Sequence, residues 1–321
     1  MTMKHFYVHG NLYSWVLILL SLSVSGIFAD APKTAKIAFT STRDGNAEIY
    51  LMNPDGTEQV NLTQSRSHET QPAWSPTGEH ILFTSNQDGE WDLYLMDADG
   101  TNVRKIFQKL ARRSYPTWSP DGKRIAYTRE STIYIATRDG QNVEELRNGV
   151  YPDWSPDGEQ IAFVLRRGHL QHGLGIYDLQ TRTSEMIIPN PRLLYIRDIA
   201  WSPDGRKFAF SRIDPPNWAQ QTIYTINDDG TDLKRILKPA RPFWFKAPTW
   251  SPHGDEMIYE QRKIGGSQLF KHRLGSRRTL QLTDKGRNYA ADWFDPTALS
   301  VQPHPHLLTT VWGKLKQREQ E

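Results

Sequence analysis

The sequence predicts an all-β protein, a six-bladed β-propeller built from four-stranded blades. A Trp-Ser-Pro-Asp-Gly motif recurs, with variations, at intervals of 36 to 49 residues, which is about the length of one propeller blade. Each repeat also contains short runs of β-branched and aromatic residues bounded by Gly, Pro and Asp, which are strand and turn signals. No long helical periodicity interrupts the repeats.

The chain begins with a segment of the kind that is removed from exported proteins. Lys4 and His5 precede an apolar run over residues 15–24, and Ala29 is a small residue at a suitable cleavage point. A run of about ten residues fits a signal peptide and is short for the ~20 that a spanning helix needs. We expect residues 1–29 to be a secretory signal peptide of a periplasmic or secreted protein. Membrane attachment is expected only if that segment stays uncleaved as an anchor.

The repeated motif predicts a turn between two strands in every blade. Its tryptophans are Trp74, Trp118, Trp154, Trp201 and Trp250, with a degenerate copy at Trp293. Because Pro presets φ and Asp-Gly reverses the chain, the motif ends one strand and starts the next. An apolar strand follows, as at 81–83, then a second, as at 133–135, and a further Asp-Gly turn precedes a polar outer strand. The tryptophans themselves are expected to pack between blades.

The two ends of the repeat region complete each other. The first strands, at 37–39 and 48–52, have no tryptophan strand before them, and the Trp293 strand has no partners after it. We expect the C-terminal strand to supply the inner strand of the first blade and to close the ring. The propeller would then occupy residues 30–296. The tail, 297–321, would form at most a short helix with Leu307, Leu308, Val311 and Leu315 on one face.

Composition excludes several classes of protein. Cysteine is absent, which excludes disulfides, thiolate metal sites and cysteine nucleophiles. The formal net charge of +3 does not indicate a nucleic-acid binder. Residues 30–100 carry 4 basic and 12 acidic side chains, against 34 and 24 in residues 101–321. This asymmetry would orient a charged partner, or it is simply an uneven solvated surface.

No motif in the chain predicts catalysis or metal binding. Neither G-x-S-x-G nor H-E-x-x-H occurs. His169 and His172 lie three apart in a loop that supplies no further ligands, so a metal there is disfavoured. The repeated Asp-Gly pairs offer too few oxygens for a calcium loop and lie where hairpin turns are required. We predict no catalytic residue, no metal and no cofactor.

The residues that precede each tryptophan are the candidate functional site. Positions three to six before it enter the channel from the same end in every blade, so they should surround one mouth. The partner-binding candidates are His68, Glu69, Arg112, Arg113, Tyr115, Tyr151, Tyr195, Arg197, Trp244, Lys246, Arg287 and Tyr289. Arg with Tyr and Trp is typical of binding hot spots and also suits acidic groups or sugar rings. Alternatively, Tyr115, Tyr151 and Tyr289 merely plug the channel.

The full repeat has the pattern P-x-W-S-P-D-G-x-x-I-A-F, a gap, then I-Y-x-M-x-x-D-G-x-x-x-x-L-T, over roughly residues 36–295. It resembles the repeats of TolB-like propellers, the WD40-like PD40 repeats. The resemblance implies a periplasmic propeller whose mouth binds a partner, which in the Tol-Pal envelope system is the lipoprotein Pal. His68 occupies a position similar to a mouth histidine of that family. The family's α/β domain before the propeller has no counterpart between residue 30 and the first strand.

These observations predict an exported, non-enzymatic binding scaffold, monomeric, which presents a basic and aromatic mouth to a protein or peptidoglycan-associated envelope partner. Nucleic acid is not an expected partner. The alternative is a propeller lyase or hydrolase acting on acidic saccharides, with His68, Glu69 and Asp198 as its acid–base candidates. A third possibility is a structural interaction module without a small ligand.

Overall fold

The computed structural model describes residues 30–167, 171–188, 195–213, 220–237, 244–263 and 265–298. The predicted signal peptide, His169 and residues 299–321 of the tail lie outside these ranges. Within the described ranges every regular element is a β-strand. No helix there is long and apolar enough to cross a membrane.

The described strands fall into antiparallel units of four, which we name A to F. Unit A has β24 (Asn288–Phe294), β1 (Lys36–Ser41), β2 (Glu48–Met52) and β3 (Val60–Asn61). Unit B has β4 (Glu69–Trp74), β5 (His80–Ser85), β6 (Asp92–Asp97) and β7 (Arg104–Lys105). Unit C has β8 (Arg113–Trp118), β9 (Arg124–Arg129), β10 (Thr132–Thr137) and β11 (Glu144–Asn148).

The remaining units follow the same order along the chain. Unit D has β12 (Val150–Trp154), β13 (Gln160–Arg167), β14 (Gln171–Asp178) and β15 (Ser184–Ile188). Unit E has β16 (Tyr195–Trp201), β17 (Lys207–Ile213), β18 (Gln221–Asn227) and β19 (Lys234–Arg235). Unit F has β20 (Trp244–Trp250), β21 (Glu256–Lys263), β22 (Gly266–Arg273) and β23 (Thr279–Gln281).

The units are arranged around a central channel. Their first strands contact one another in the order β4, β8, β12, β16, β20 and β24, and β24 contacts β4 again. Strand β24 also pairs with β1, from Lys36 opposite Phe294 to Ser41 opposite Asn288. Units E and F share one sheet through the single parallel pair of Gln221 with Trp244. The prediction of an all-β propeller is confirmed.

The tryptophans of the repeat pack between neighbouring units. Trp74, Trp118, Trp154, Trp201 and Trp250 are all buried, as expected for a core position. Two of their indole N–H groups tie one unit to the preceding one, since Trp118 donates to the carbonyl of Ala73 and Trp250 to that of Ala200. Each buried indole therefore supplies apolar contact at a junction, and at these two junctions it adds a directional hydrogen bond.

The turn after each tryptophan is held by its own side chains. In unit C the Ser119 hydroxyl donates to Asp121 at 2.6 Å and accepts from the amide of Arg124 at 2.9 Å. Ser202 and Asp204 repeat this arrangement in unit E. The aspartates thus act as turn residues, as the sequence predicts. In the described part of the chain no three His, Cys, Asp or Glu side chains are grouped as metal ligands would be.

Every innermost strand contains a bulge that the sequence does not announce. The residue three positions before the tryptophan has a positive φ between 46° and 56° in each unit; these residues are Gln71, Tyr115, Tyr151, Asp198, Ala247 and Ala290. The strand register shifts at the same place. A left-handed residue in a bulge bends the strand and re-aims its side chains. We call these six residues the bulge ring.

Candidate functional site

The bulge divides the predicted mouth residues into three groups. Six positions before the tryptophan lie His68, Arg112, Tyr195, Trp244 and Arg287, all exposed except the half-buried Tyr195. Three and four positions before it lie Tyr115, Tyr151, Arg197, Lys246 and Tyr289, which are exposed or half-buried along the channel. Five positions before it, Glu69 and Arg113 are buried. We call the first group the rim and the second group the throat of the predicted mouth.

The assignment of Glu69 and Arg113 to the mouth is wrong. Arg113 is 6% exposed and its Nη1 lies 2.7 Å and 2.9 Å from the two carboxylate oxygens of Asp92. Glu69 is 1% exposed and accepts from the hydroxyls of Ser65 and Ser85. Side chains alternate between the two sides of a strand, so this position faces the adjoining unit while its neighbours face the channel or solvent.

The rim carries cations and aromatic rings. Trp244 is 38% exposed, and the Lys246 ammonium and Arg262 guanidinium lie 5.6 Å and 5.2 Å from its ring centre. The exposed Arg112 pairs with Glu90 at 3.1 Å. His68 accepts a hydrogen bond from the amide of Ala47 through Nδ1, which fixes the imidazole at the edge of the mouth.

Two tyrosines fill one side of the throat. The rings of Tyr115 and Tyr151 come from neighbouring units, and their centres are 4.3 Å apart. Burial raises the pKa of the Tyr151 hydroxyl above its ordinary value, and the nearby negative charge of Asp198 raises it further. Both observations agree with the alternative that this pair plugs the channel.

The opposite side of the throat is lined by small residues. The bulge ring has Ala247 in unit F and Ala290 in unit A, where the other units have longer side chains. Lys246 and Tyr289 flank these alanines, and Arg197 is exposed in the preceding unit. The throat is therefore asymmetric, with a pair of packed tyrosine rings on the C–D side and alanines beside cationic side chains and Tyr289 on the E–F–A side.

Two side chains of the bulge ring hold the next unit in place. The Gln71 side-chain oxygen accepts from the amide of Tyr115 at 2.9 Å. One oxygen of Asp198 accepts from the amide of Ala247 at 3.3 Å and from the Ser211 hydroxyl at 2.9 Å. Because the bonds to the amides of Tyr115 and Ala247 join neighbouring units, they hold the shape of the mouth only when the ring is assembled.

Sequence reasoning missed two carboxylates deeper in the channel. Asp153 and Asp292 immediately precede a tryptophan in units D and A, and they accept from the amides of Trp201 and Trp74 at 2.6 Å each. Burial raises the pKa of both carboxyls, that of Asp153 to about 7, and the charge of Asp292 adds to the effect on Asp153. In two repeats an Asp directly precedes the tryptophan, and this feature of the sequence could have identified both carboxylates.

The acid–base candidates of the enzymatic alternative do not meet in the mouth. Glu69 is buried at the junction between units A and B, away from the channel. Asp198 is engaged by Ser211 and by the backbone of Ala247. Of the three candidates, His68 alone stands exposed at the rim.

The repeats and their channel define a β-propeller in which a Trp-Ser-Pro-Asp-Gly turn, or a variant of it, joins the first and second strands of each unit. The TolB beta propeller domain family (PD40) matches residues 24–142 and 128–300. The chain belongs to this family.

Individual TolB proteins are similar over one short stretch. The Tol-Pal system protein TolB of Geobacter sulfurreducens is 53% identical over 47 residues, 15% of this chain, and that of Geobacter metallireducens is 48% identical over 48 residues, also 15%. The matched stretch spans only 11% of the length of either relative.

Solved structures share the fold. TolB from Acinetobacter baumannii superposes with a TM-score of 0.70 at 19% identity, covering 81% of this chain and 66% of that one. A chain of a nidogen/laminin complex gives a TM-score of 0.64 at 12% identity, covering 82% and 99%. An oligogalacturonate lyase in complex with manganese gives 0.50 at 15% identity, covering 78% and 74%.

Proposed function

We propose that this protein is an exported, non-enzymatic scaffold whose mouth binds an acidic surface of a protein or envelope-associated partner. The ring is a six-bladed propeller in this proposal, each unit being one blade, and the pairing of β24 with β1 closes it. A monomer in the periplasm or outside the cell is the expected form. The observation that carries the proposal is the group of cationic side chains beside two alanines on the side of the throat formed by units E, F and A.

The chemistry of that side suits carboxylates. Arg197 and Arg287 are exposed, and Lys246 is half-buried beside Trp244. Two carboxyls lie near them: that of Asp198, which accepts from Ser211 and from the amide of Ala247, and that of Glu260, whose pKa is raised by burial. Guanidinium groups next to an exposed indole can pair with a partner's carboxylate while the indole supplies apolar contact.

The mouth is held in shape before a partner arrives. The Tyr115–Tyr151 pair, the Gln71 bond to unit C and the Asp198 bond to unit F all join neighbouring units. A preorganised surface loses less conformational entropy on binding. The proposal therefore predicts recognition with little movement of the inner strands.

The test is capture by the immobilised protein, residues 30–321, from an envelope extract of the source organism. Neutralising the throat cations with Arg197→Gln and Lys246→Gln should reduce the affinity of a captured partner at least about tenfold. The matched control is Lys123→Gln with Arg138→Gln, two exposed cations at the turns of the opposite end. Equal capture by the parent and the throat variant would contradict the proposal, as would loss in the control alone.

Acidic saccharides are the second candidate, because cations beside aromatic rings also bind uronate sugars. The parent and both variants should be incubated with oligogalacturonate and the products analysed. Cleavage by the parent that the throat variant lacks would replace the scaffold proposal with the lyase alternative.

A further inference from the structure

The junction between units A and B contains two buried glutamates. Glu48 on β2 is 2% exposed and Glu69 on β4 is 1% exposed, and their carboxyls lie within reach of a hydrogen bond. The corresponding junction between B and C pairs Asp92 with Arg113, and that between F and A pairs Gln268 with Asn288. Those junctions join an acceptor to a donor, whereas the A–B junction brings together two carboxyls.

The two carboxyls have different surroundings. Glu48 accepts from the side-chain amide of Asn46, the backbone amide of Ser65 and the hydroxyl of Thr63, so donors surround both of its oxygens. Oε1 of Glu69 accepts from two serine hydroxyls, while Oε2 is buried and has no hydrogen-bond donor among the described residues. Donors thus satisfy both oxygens of Glu48 without a proton on that carboxyl. A buried oxygen without a donor is stable when it carries a proton of its own.

We propose that Glu48 and Glu69 share one proton, which Oε2 of Glu69 carries and donates to the carboxylate of Glu48, so that the A–B junction is sensitive to pH. Burial raises the pKa of Glu69 to about 7, and the negative charge of Glu48 raises it as well. Both effects disfavour a second negative charge at this place.

Arg66, in the segment between Ser65 and His68, is exposed, and the other charged groups on the neighbouring turns and strands pair as follows. On the β1–β2 turn, Asp44 accepts from Tyr50 and Asn61, and Arg43 donates to Ser41 and Asn288. On the β5–β6 turn and β6, Asp88, Glu90 and Asp92 pair with Lys105, Arg112 and Arg113. His68, the residue just before β4, is the remaining titratable neighbour. Its ring accepts a hydrogen bond from the backbone amide of Ala47.

The shared proton links pH to the mouth. Both carboxyls bind Ser65, in the segment that leads from β3 to His68 at the rim. Since the pKa of Glu69 is raised by folding from its ordinary value of 4.5 to about 7, the stability it contributes is full below pH ~4.5 and is lost as the pH rises through ~7. Above that range two buried carboxylates repel each other and loosen this segment.

The first test compares the thermal stability of the parent with that of Glu69→Gln. A glutamine keeps an acceptor for the serine hydroxyls and a permanent donor toward Glu48. Between about pH 5 and pH 8 the Tm of the parent should fall by about 5 °C more than that of Glu69→Gln. Asp153→Asn is the matched control for another buried carboxyl, and its effect should add to that of Glu69→Gln.

The second test observes the proton directly and does not depend on the stability of a variant. In infrared spectra at about pH 6 the protonated carboxyl band of the parent should be stronger than that of Glu69→Gln, which keeps the contribution of Asp153 and its raised pKa, and this difference should disappear by about pH 9. A parent whose band equals that of Glu69→Gln, or Glu69→Gln with the parent's full pH dependence, would overturn the proposal. So would removal of that dependence by His68→Asn alone, since imidazoles titrate in the same range. Stabilisation of the parent, but not of Glu69→Gln, by millimolar calcium or magnesium would assign the pair to a cation instead.

Discussion

Arg113→Ala should lower the free energy of unfolding by about 3–5 kcal/mol, because it leaves a buried carboxylate without its partner. Asp92 is 0% exposed, and both of its oxygens lie within 2.9 Å of Arg113 Nη1. The guanidinium also lies 3.8 Å from the ring centre of Phe107 and donates to the carbonyl of Lys109. Its removal therefore takes away an ion pair, a hydrogen bond and packing between units B and C.

The adjacent residue provides the control. Arg112 pairs with Glu90 on the exposed rim, so Arg112→Ala should cost no more than about 1 kcal/mol. Urea denaturation of both variants measures the difference. Adding Asp92→Asn to Arg113→Ala should recover part of the loss, because the unpaired charge is removed. If the two alanine variants lose similar amounts of unfolding free energy, the buried pair contributes no more to stability than the exposed pair.

Gly140→Ala should be the second most damaging change, with a loss of about 3 kcal/mol. Gly140 has a φ of +80°, and a Cβ there would lie 2.4 Å from the carbonyl oxygen of Ile106 in the preceding unit. The left-handed backbone costs about 1–2 kcal/mol for a residue with a Cβ. The remainder comes from displacing a backbone carbonyl that cannot move aside as a side chain would.

A glycine with the same backbone but an open environment separates the two causes. Gly275 has a φ of +75°, and a Cβ there would meet nothing within 4 Å. Gly275→Ala should therefore show the conformational cost alone, about 1–2 kcal/mol. Denaturation curves of the two variants measure the contribution of the contact between units. If the losses are equal, the approach of Gly140 to Ile106 has no energetic consequence.

The strand order and the turns could be predicted because their causes are local. In Ser119-Pro120-Asp121-Gly122 the serine and aspartate side chains bond the turn's own backbone, so the motif forms the same turn wherever it recurs. The burial of Trp118 and its equivalents also follows from a repeat with one large apolar residue at a constant position.

The candidate site could be predicted only in part. Counting back from each tryptophan selects Trp244, which is exposed, and Tyr115 and Tyr151, whose rings contact each other across two units. It wrongly includes Glu69 and Arg113, because four consecutive strand residues cannot all face one channel. The bulge was not visible either, since left-handed positions held by Gln71 and Ala247 have no common residue type.

The sequence by itself determined the repeat, its turns and the alternation of strands, since these depend on residues close together in the chain. Only the tertiary structure decided which partners meet across the junctions between units. Equivalent positions there pair Asp92 with Arg113 in one place and Glu48 with Glu69 in another. The charge and the protonation state of each side chain in such a pair depend on its burial and on the side chain that faces it. Both are set by how the units pack around the ring, and not by the local chain.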